Sequence, residues 1–313
     1  VVDDAALDRI ITDDPDKLNR LPGEWRRIDD DILGLQCWAR SVVSQQRRSI
    51  SPAASKITYT SGSTGNPKGV CLSRASMDSV VNSLVGVLQP LAVSRHLSLL
   101  PLSTLLDNLV SVEVAPALGA TVLLPSLSET GIGYGGIDIQ RMLSCIDRYS
   151  PESLLLVPEL LRVLVASVTK GWRAPTNLKF IAVGGASVSP ELLTAAHAVG
   201  LPAYEGYGLS ECASVVALNS PAAAHKGSVG RVLPHARIRI DAAGEIHVRG
   251  ATMSGYLGND DHAQDEVATG DLGFIDADGF LHVRGRRKNL LITSLGRNVS
   301  PEWVERELLA SGY

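Results

Sequence analysis

The chain has 313 residues, with 29 Lys and Arg against 33 Asp and Glu, which gives a formal net charge of −4 at pH 7. This slightly acidic balance and an aromatic content of 4% argue against the basic surfaces and base-stacking platforms of nucleic-acid-binding proteins. No apolar stretch approaches the roughly 20 residues that a membrane-spanning helix requires. The length predicts about two domains.

The cysteines are spaced too widely for a Cys-x-x-Cys zinc site or for the disulfide framework of a small secreted domain. They are Cys37, Cys71, Cys145 and Cys212. The first four residues, Val-Val-Asp-Asp, include neither an initiator Met nor the basic and apolar regions of a signal peptide. We therefore predict a cytoplasmic protein, and a chain cut from a longer one.

The N-terminal segment has the weakest pattern of the chain. Within it, residues 32–43 are a candidate helix and residues 44–55 a polar surface connection. From Lys56 the pattern becomes regular. A β-branched strand is predicted over residues 56–60, and after a glycine-rich loop Ser73 can cap a helix with apolar positions three and four residues apart.

Short apolar strands and helices then alternate, which predicts an α/β fold with parallel sheets covered by helices. The strands are predicted at residues 97–100, 121–124, 154–157, 179–183 and 201–204. The helices between them are predicted at residues 137–149, 158–169 and 190–199.

After about residue 219 the pattern becomes that of an antiparallel structure. Strand-like runs at residues 230–240, 245–249 and 280–284 are joined by tight turns, including Asp278-Gly279, a strong hairpin signal. We expect a small antiparallel β-barrel or sheet appended to the α/β body. A new unit then starts, with a strand at residues 290–293 and a helix opened at Ser300.

These patterns predict a domain organisation. The predicted domains are a large domain at residues 1–288, with an α/β body at 1–218 and a β-rich subdomain at 219–288, and a hinge with the start of a small C-terminal α+β domain at 289–313.

The sharpest motif is the loop at residues 59–69, Tyr-Thr-Ser-Gly-Ser-Thr-Gly-Asn-Pro-Lys-Gly. Its glycines let the backbone approach a phosphate, its hydroxyls are donors, and Lys68 adds a positive charge. Because Gly69 follows Lys68 where a Walker A loop needs Ser or Thr, a P-loop NTPase is excluded. The predicted phosphate contacts are Thr60, Ser61, Gly62, Ser63, Thr64, Gly65 and Lys68.

This loop resembles the phosphate loop of the acyl-adenylate-forming superfamily of AMP-dependent synthetases and ligases. Three further segments resemble motifs of that family in the expected order. They are Gly184-Gly185-Ala186, then Tyr204-Glu205-Gly206-Tyr207-Gly208-Leu209-Ser210-Glu211, then Thr269-Gly270-Asp271 followed by Gly285-Arg286-Arg287-Lys288-Asn289. The resemblance covers residues 56–313.

The resemblance implies roles for these residues. Tyr207 would stack on adenine, Asp271 and Arg286 would contact the ribose, and Ser210 would lie near the α-phosphate. Glu211 would hold Mg²⁺, a hard cation that suits carboxylate oxygen. The implied catalytic residues are Lys68, Ser210 and Glu211. The remaining implied nucleotide contacts are Gly184, Gly185, Ala186, Glu205, Gly206 and Gly208.

Two departures from the family are informative. Residues 100–107 resemble the family's Pro-Leu-x-His-x-x-Gly acyl-site stretch, but Thr104 replaces His and Asp107 replaces Gly. The chain ahead of the phosphate loop is shorter than in typical members, and the family's catalytic lysine would follow residue 313. The resemblance therefore implies a fragment of low activity in the overall reaction.

We expect ATP-dependent activation of a carboxylic acid as its AMP ester, with transfer to CoA; the alternatives are loading of a carrier protein, or a non-catalytic nucleotide-binding fragment. An apolar or fatty acid is expected because the acyl-site stretch is rich in aliphatic residues. They are Leu99, Leu100, Leu102, Leu105, Leu106, Leu109 and Val110. The family's amino-acid-activating members place an Asp at the position that Leu106 occupies in this chain, one residue before Asp107.

Overall fold

The computed structural model describes residues 9–12, 15–21, 24–32, 35–39, 50–60, 67–133, 136–258, 265–289, 291–292 and 298–299. The chain divides into two compact units. The first unit is Val1–Ser73 with Ser254–Ala263, and the second is Arg74–Met253 with Gln264–Tyr313.

The described residues form strands, α-helices and short helical turns. The strands are β1 (Arg9–Thr12), β2 (Arg26–Ile32), β3 (Leu35–Ala39), β4 (Ala54–Thr60), β5 (Lys68–Ser73), β6 (Arg95–Leu97), β7 (Thr121–Leu123), β8 (Ile132–Gly133), β9 (Gly136–Ile137), β10 (Ser153–Leu156), β11 (Phe180–Val183), β12 (Ala203–Tyr207), β13 (Ala217–Leu218), β14 (Gly230–Val232), β15 (Ala236–Ile240), β16 (Glu245–Gly250), β17 (Gly255–Tyr256), β18 (Glu266–Ile275), β19 (Phe280–Arg286), β20 (Leu291–Ile292) and β21 (Asn298–Val299). The α-helices are α1 (Arg74–Leu88), α2 (Leu105–Leu109), α3 (Ala115–Ala117), α4 (Leu127–Thr130), α5 (Ile139–Tyr149), α6 (Pro158–Thr169) and α7 (Pro190–Ala198). Short 3₁₀ turns lie at Pro15–Arg20, Gln89–Leu91, Ser210–Cys212 and Arg287–Asn289, and a π-helical turn lies at Val110–Val114.

In the first unit, β3 lies between β1 and β2 in an antiparallel sheet. The helix predicted at residues 32–43 is therefore wrong. The reason is tertiary: β3 forms ladders on both edges, and its buried Cys37 pairs with Ile11 on one side and Ile28 on the other. The rest of that predicted helix, and residues 44–49 of the predicted polar connection, lie outside the described residues.

The glycine-rich loop connects two strands rather than a strand and a helix. The predicted strand at residues 56–60 is confirmed within β4, and β4 pairs with β5 from Ala54 to Thr60, which faces Lys68. β5 forms because Val70, Cys71 and Leu72 are completely buried between β4 and β17. The predicted helix after Ser73 is confirmed as α1.

The second unit contains a large mixed sheet. In the part of the chain that the structure describes, its order is β15-β16-β18-β19-β14-β13-β12-β11-β10-β6-β7. The strands β7, β6, β10, β11 and β12 are parallel, and each lies within a few residues of its prediction. The helices α5, α6 and α7 bury apolar residues in the core of this part, as predicted. The predicted α/β class is confirmed.

The antiparallel strands continue the same sheet instead of forming a separate barrel. One edge of β12 pairs with the parallel strand β11, while Gly206 and Tyr207 at its end pair with the antiparallel strand β13. The predicted run at residues 230–240 is divided into β14 and β15, and β18 was not predicted. The predicted turn is confirmed: it joins β18 to β19, and Gly279 has a φ of 81°.

The last described strands, β20 and β21, pair with each other. The predicted strand near residues 290–293 is represented by β20, and the helix predicted from Ser300 lies outside the described residues. The division between residues 288 and 289 stays a prediction. Among the described residues, no helix is long and apolar enough to cross a membrane.

The parallel core yields a stability prediction. Leu156 on β10 is completely buried, whereas Leu124, just after β7, is 56% exposed. We expect Leu156→Ala to lower the free energy of unfolding by about 2–5 kcal/mol, because it leaves a cavity in a close-packed core. Leu124→Ala is the matched control and should change it by about 0.5 kcal/mol or less. Urea titration followed by circular dichroism measures both, and equal effects would contradict the packing described.

Candidate active site

The carboxyl ends of β11 and β12 form one edge of the parallel sheet, where ligands of open α/β sheets commonly bind. Gly184 and Gly185 directly follow β11, and Gly185 has a φ of 83°. A Cβ added to Gly184 would lie 3.4 Å from the carbonyl oxygen of Gly206 on β12. The structure therefore brings the predicted Gly184-Gly185-Ala186 motif into contact range of the predicted Tyr-Gly motif.

A buried carboxylate joins the second and third motifs. The Tyr207 hydroxyl donates to Asp271 Oδ2 at 2.7 Å. Arg286 Nε, from the neighbouring strand β19, lies 3.0 Å from Asp271 Oδ1. Asp271 is 5% exposed, whereas the Arg286 side chain is 56% exposed. Three predicted site residues thus form one cluster at the end of β12.

Burial controls the protonation of this cluster. It raises the pKa of Asp271, although the hydrogen bond from Tyr207 and the charge of Arg286 act in the opposite direction. Burial and the negative charge of Asp271 raise the pKa of the Tyr207 hydroxyl. Tyr207 therefore remains a neutral donor, and the remaining lone pairs of Asp271 can accept further hydrogen bonds.

The sequence did not reveal the residues that position Asp271. Gly270 N donates to Glu245 Oε1 at 2.9 Å, and Asp271 N donates to Thr269 Oγ1 at 3.0 Å. Thr269 Oγ1 in turn donates to the carbonyl of Ile246. Glu245 is buried and follows a tight turn, and its partner Gly270 lies 25 residues away in the sequence. The local sequence therefore shows an acidic residue but not the group that it binds.

Ser210 and Glu211 follow β12 in a tight reversal of the chain. A Cβ added to Gly208 would lie 1.5 Å from the carbonyl oxygen of Ser214, so only glycine fits at that position. Ala213 and Ser214 both have positive φ, at 52° and 99°. Such strain in residues other than glycine is often found at functional sites.

Ser210 and Glu211, the two predicted catalytic residues at the start of this reversal, are partly exposed. The negative charge of Glu211 contributes to the raised pKa of Asp271. The main-chain carbonyl of Glu211 accepts from Met253 N at 2.8 Å. Glu211 is therefore close enough for its charge to act on Asp271, and Ser210 precedes it in the same reversal.

Glu205 has a structural contact in addition to its predicted role. It is 7% exposed, and its Oε1 accepts from Val188 N at 3.3 Å. This contact holds the segment after Ala186 against β12. A contact between Glu205 and a nucleotide stays a prediction.

Two adjacent residues of α2 in the acyl-site stretch, Leu106 and Asp107, have different surroundings. Leu106 Cδ2 would lie 3.7 Å from a Cβ added to Gly184, so Leu106 approaches the edge described above. Asp107 is completely buried instead, and it accepts hydrogen bonds from the hydroxyls of Ser98 and Ser111. Thr104 Oγ1, at the predicted departure from His, donates to the carbonyl of Pro101.

Asp107 belongs to a buried polar network beneath α2. Ser111 also bonds to His96 Nε2 at 3.1 Å, and His96 Nδ1 lies 2.9 Å from Ser153 Oγ. Burial raises the pKa of Asp107 to about 6 although both hydroxyls donate to it. Burial lowers the pKa of His96 to about 4. Every hydrogen-bonding side chain of the network has a partner, as buried polar groups require.

In the first unit, the structure describes the two ends of the predicted phosphate loop. Thr60 ends β4 and Lys68 begins β5, and the two residues are register partners. The exposed Lys68 has its Nζ 5.2 Å from the centroid of the Tyr256 ring. The other predicted contacts of this loop, Ser61, Gly62, Ser63, Thr64 and Gly65, lie outside the described residues.

Comparison with known proteins agrees with these motifs. The model of the AMP-binding enzyme family matches residues 10–257. The chain belongs to the AMP-binding enzyme family.

Similar members of this family include two ligases of aromatic acids. Indoleacetate–CoA ligase of Aromatoleum aromaticum is 32% identical over 277 residues, which are 80% of this chain and 51% of that protein. 2-Succinylbenzoate–CoA ligase of Bacillus licheniformis is 32% identical over 278 residues, which are 82% of this chain and 54% of that protein. The chain therefore spans about half the length of these relatives.

Solved structures show the same similarity. O-succinylbenzoate coenzyme A synthetase of Bacillus subtilis in complex with ATP and magnesium ion has a TM-score of 0.68 and 27% identity, covering 88% of this chain and 58% of that chain. Its complex with AMP has a TM-score of 0.67 and 28% identity, covering 82% of this chain and 54% of that chain. The adenylate-forming fold of this family member is thus confirmed.

The Asp107 network makes stability depend on pH. The pKa of Asp107 is raised in the folded state to about 6. The folded protein therefore holds this proton more tightly than the unfolded chain, and the resulting stability is lost as pH rises from about 4 to about 6. His96 acts in the opposite direction in the same range, because its folded-state pKa is lowered. Asp107→Asn should remove only the first effect. The free energy of unfolding of the wild type minus that of the variant should therefore fall between pH 4 and 7, by at most about 3 kcal/mol.

Urea denaturation of both proteins across this pH range measures the difference. The contribution of His96 is common to both proteins and cancels. If the difference in free energy of unfolding stayed constant with pH, the pKa of Asp107 would not be raised in the folded state.

Proposed function

We propose that this family member takes part in the ATP-dependent conversion of a carboxylic acid to its acyl-AMP, with transfer of the acyl group to CoA. The observation that carries the proposal is the Tyr207–Asp271–Arg286 cluster beside the glycine edge at Gly184, within a chain that matches the family model. The names of the relatives, which are CoA ligases, support the second step.

The cluster suits an adenosine moiety. Gly184 and Gly185 after β11 carry no side chains, so a planar base can approach their main chain closely. Asp271 is fixed by its neighbours and keeps lone pairs for ribose hydroxyl groups. Arg286 adds a positive charge that is largely exposed. We propose that Tyr207 contacts the adenine and that Asp271 and Arg286 contact the ribose.

Ser210 and Glu211 supply further polar groups, in the chain reversal that follows β12. The hydroxyl of Ser210 is a donor for an α-phosphate oxygen, and the carboxylate of Glu211 is a suitable ligand for Mg²⁺, which would neutralise phosphate charge. For the first unit, we propose from the sequence motif that residues 60–68, with Lys68, bind phosphate oxygens. The chemical step is an in-line attack of the carboxylate on the α-phosphate, which releases pyrophosphate; positioning and charge stabilisation are the protein's main contributions.

An apolar acid is the substrate class that the described residues favour. Leu106 approaches Gly184 with an aliphatic side chain, whereas the carboxyl group of Asp107 is completely buried and bonded to the hydroxyls of Ser98 and Ser111. An α-ammonium group would therefore find no carboxylate from Asp107. The related ligases act, by name, on indoleacetate, 2-succinylbenzoate and long-chain fatty acids, so we propose an aryl or aliphatic acid.

Glu211→Gln tests the metal-binding role. The amide removes the negative charge but keeps the size of the side chain, so it should weaken ATP binding more with Mg²⁺ present than with Mg²⁺ removed by EDTA. We expect a loss of about tenfold or more in magnesium, because a direct ligand should matter at least as much as its supporting contacts. Isothermal titration calorimetry gives both affinities.

Asp271→Asn is the matched comparison for that experiment. It removes a ribose contact and should weaken ATP binding equally with and without Mg²⁺. If Glu211→Gln showed the same loss in both conditions, Glu211 would have no role as a metal ligand.

Leu106→Ala tests the acyl site. We expect it to raise KM for an apolar acid by about tenfold, since the loss of an aliphatic contact with the substrate removes about 1–3 kcal/mol of binding energy, and to leave KM for ATP unchanged. Pyrophosphate release, measured with aryl, aliphatic and amino acids, is the assay. Leu124→Ala is the control, because Leu124 lies outside the acyl-site stretch and is 56% exposed. Release driven by amino acids but by none of the apolar acids would refute the substrate class.

A further inference from the structure

A separate cluster of metal-ligating side chains lies in the antiparallel part of the second unit. His225, Asp276 and His282 each offer one ligand atom, and these atoms all lie within 4.8 Å of one another. His225 Nδ1 is 2.9 Å and His282 Nε2 is 2.8 Å from the same atom, Asp276 Oδ2. Two imidazoles and one carboxylate on one centre are a ligand set suited to a first-row transition metal.

The rest of the cluster fixes each ligand. His282 Nδ1 is 3.0 Å from the carbonyl oxygen of Gly227, so this nitrogen carries the hydrogen. In the neutral ring, the bare Nε2 then faces a carboxylate oxygen at 2.8 Å. Two lone pairs at this distance repel each other unless a proton or a metal ion lies between them. A backbone carbonyl that fixes the tautomer is also the usual second contact of a metal-binding histidine.

Asp276 is fixed in the same way. Its Oδ1 accepts from the backbone N–H groups of Asp278 and Phe280, which directs Oδ2 towards the two histidines. This leaves Oδ2 as the oxygen available for a metal.

His225 is presented by an ordered loop. Its N–H donates to the amide oxygen of the buried Asn219, and its carbonyl accepts from Ser228. The main chain of His225 and the side chains of Asp276 and His282 are therefore held in place by bonds other than those within the cluster. Ligand atoms around a tetrahedral zinc stand roughly 3.3 Å apart. Asp276 Oδ2 is 2.9 Å and 2.8 Å from the two histidine nitrogens, so a bound ion would move each pair slightly apart.

A second hairpin of the same unit provides an internal comparison. The sequences Asp-Ala-Ala-Gly-Glu-Ile-His, ending at His247, and Asp-Ala-Asp-Gly-Phe-Leu-His, ending at His282, share the same turn. In both, one oxygen of the first Asp accepts two turn N–H groups and the other lies near the last His, at 3.1 Å for Asp241 and His247. There, however, the third member of the group is an acid, Glu245, whose oxygens are bonded to Gly270 N and Arg287.

We propose that His225, Asp276 and His282 bind one divalent transition-metal ion, with zinc as the expected ion, and that the ion joins the loop at His225 to the β18–β19 hairpin. Three protein ligands leave a position for solvent. The site is independent of the nucleotide-binding residues and of the Mg²⁺ proposed for Glu211. Because the ion binds only the folded arrangement, it should stabilise the fold.

Titration with Zn²⁺ after removal of metals by EDTA and dialysis tests the proposal. We expect one Zn²⁺ per chain by calorimetry, a higher melting temperature with Zn²⁺, and visible absorption bands when Co²⁺ replaces it. His225→Gln, at an exposed position, should weaken Zn²⁺ binding by on the order of 100-fold and abolish the thermal shift. Asp276→Asn, which keeps an oxygen for the turn, should do the same.

His247→Gln is the matched control, since it alters the same turn motif without a second imidazole. It should leave Zn²⁺ affinity unchanged, and circular dichroism would verify that each variant folds. The proposal is overturned if the wild type binds no Zn²⁺, which would leave the cluster as a histidine–aspartate ion pair. It is also overturned if His225→Gln and the wild type bind Zn²⁺ equally.

Discussion

A buried carboxylate must be hydrogen-bonded or paired, and the arrangement around Asp271 follows from that requirement. Asp271 lies at 5% exposure, and both of its oxygens are occupied, one by the Tyr207 hydroxyl and one by Arg286. Tyr207 ends β12 and Asp271 lies on β18, strands that are not neighbours in the sheet. The hydrogen bond therefore fixes the end of a parallel strand against the antiparallel region, and the position of each residue depends on the other.

The strand order of the sheet explains why the Tyr207–Asp271 hydrogen bond lies at the end of β12. Parallel strands need crossover helices, whereas the antiparallel strands after β12 are joined by turns. β12 is the strand at which one pattern changes to the other, because it pairs with the parallel strand β11 and with the antiparallel strand β13. Gly208, which no larger residue can replace beside Ser214, then reverses the chain and presents Ser210 and Glu211 at the same end.

Much of this could be predicted from the sequence, because the signals were local. The strands and helices of the parallel region follow apolar periodicity, and the glycine and acidic motifs stand at element ends. The N-terminal strand β3 could not be predicted, since the choice between helix and strand there depends on pairing with β1 and β2. The role of Glu245 and the burial of Asp107 could not be predicted either. Both depend on partners that only the fold brings close, Gly270 for the first and Ser98 for the second.

The two hairpins whose turns begin at Asp241 and Asp276 show how similar local sequences acquire different partners. In each, the first aspartate uses one oxygen to close the turn and the other to meet a histidine six residues later, so this part is determined locally. What differs is the third partner. At Asp241 the neighbouring acid Glu245 is used to hold Gly270, and hence Asp271. At Asp276 the loop that follows β13 brings in His225, which replaces an acid with a second imidazole. The chemistry available at each turn is therefore decided by its third partner, which is an acid within the turn at Asp241 and a histidine from another loop at Asp276. One hairpin supports the Tyr207–Asp271–Arg286 cluster, while the other holds a set of metal-ligating groups.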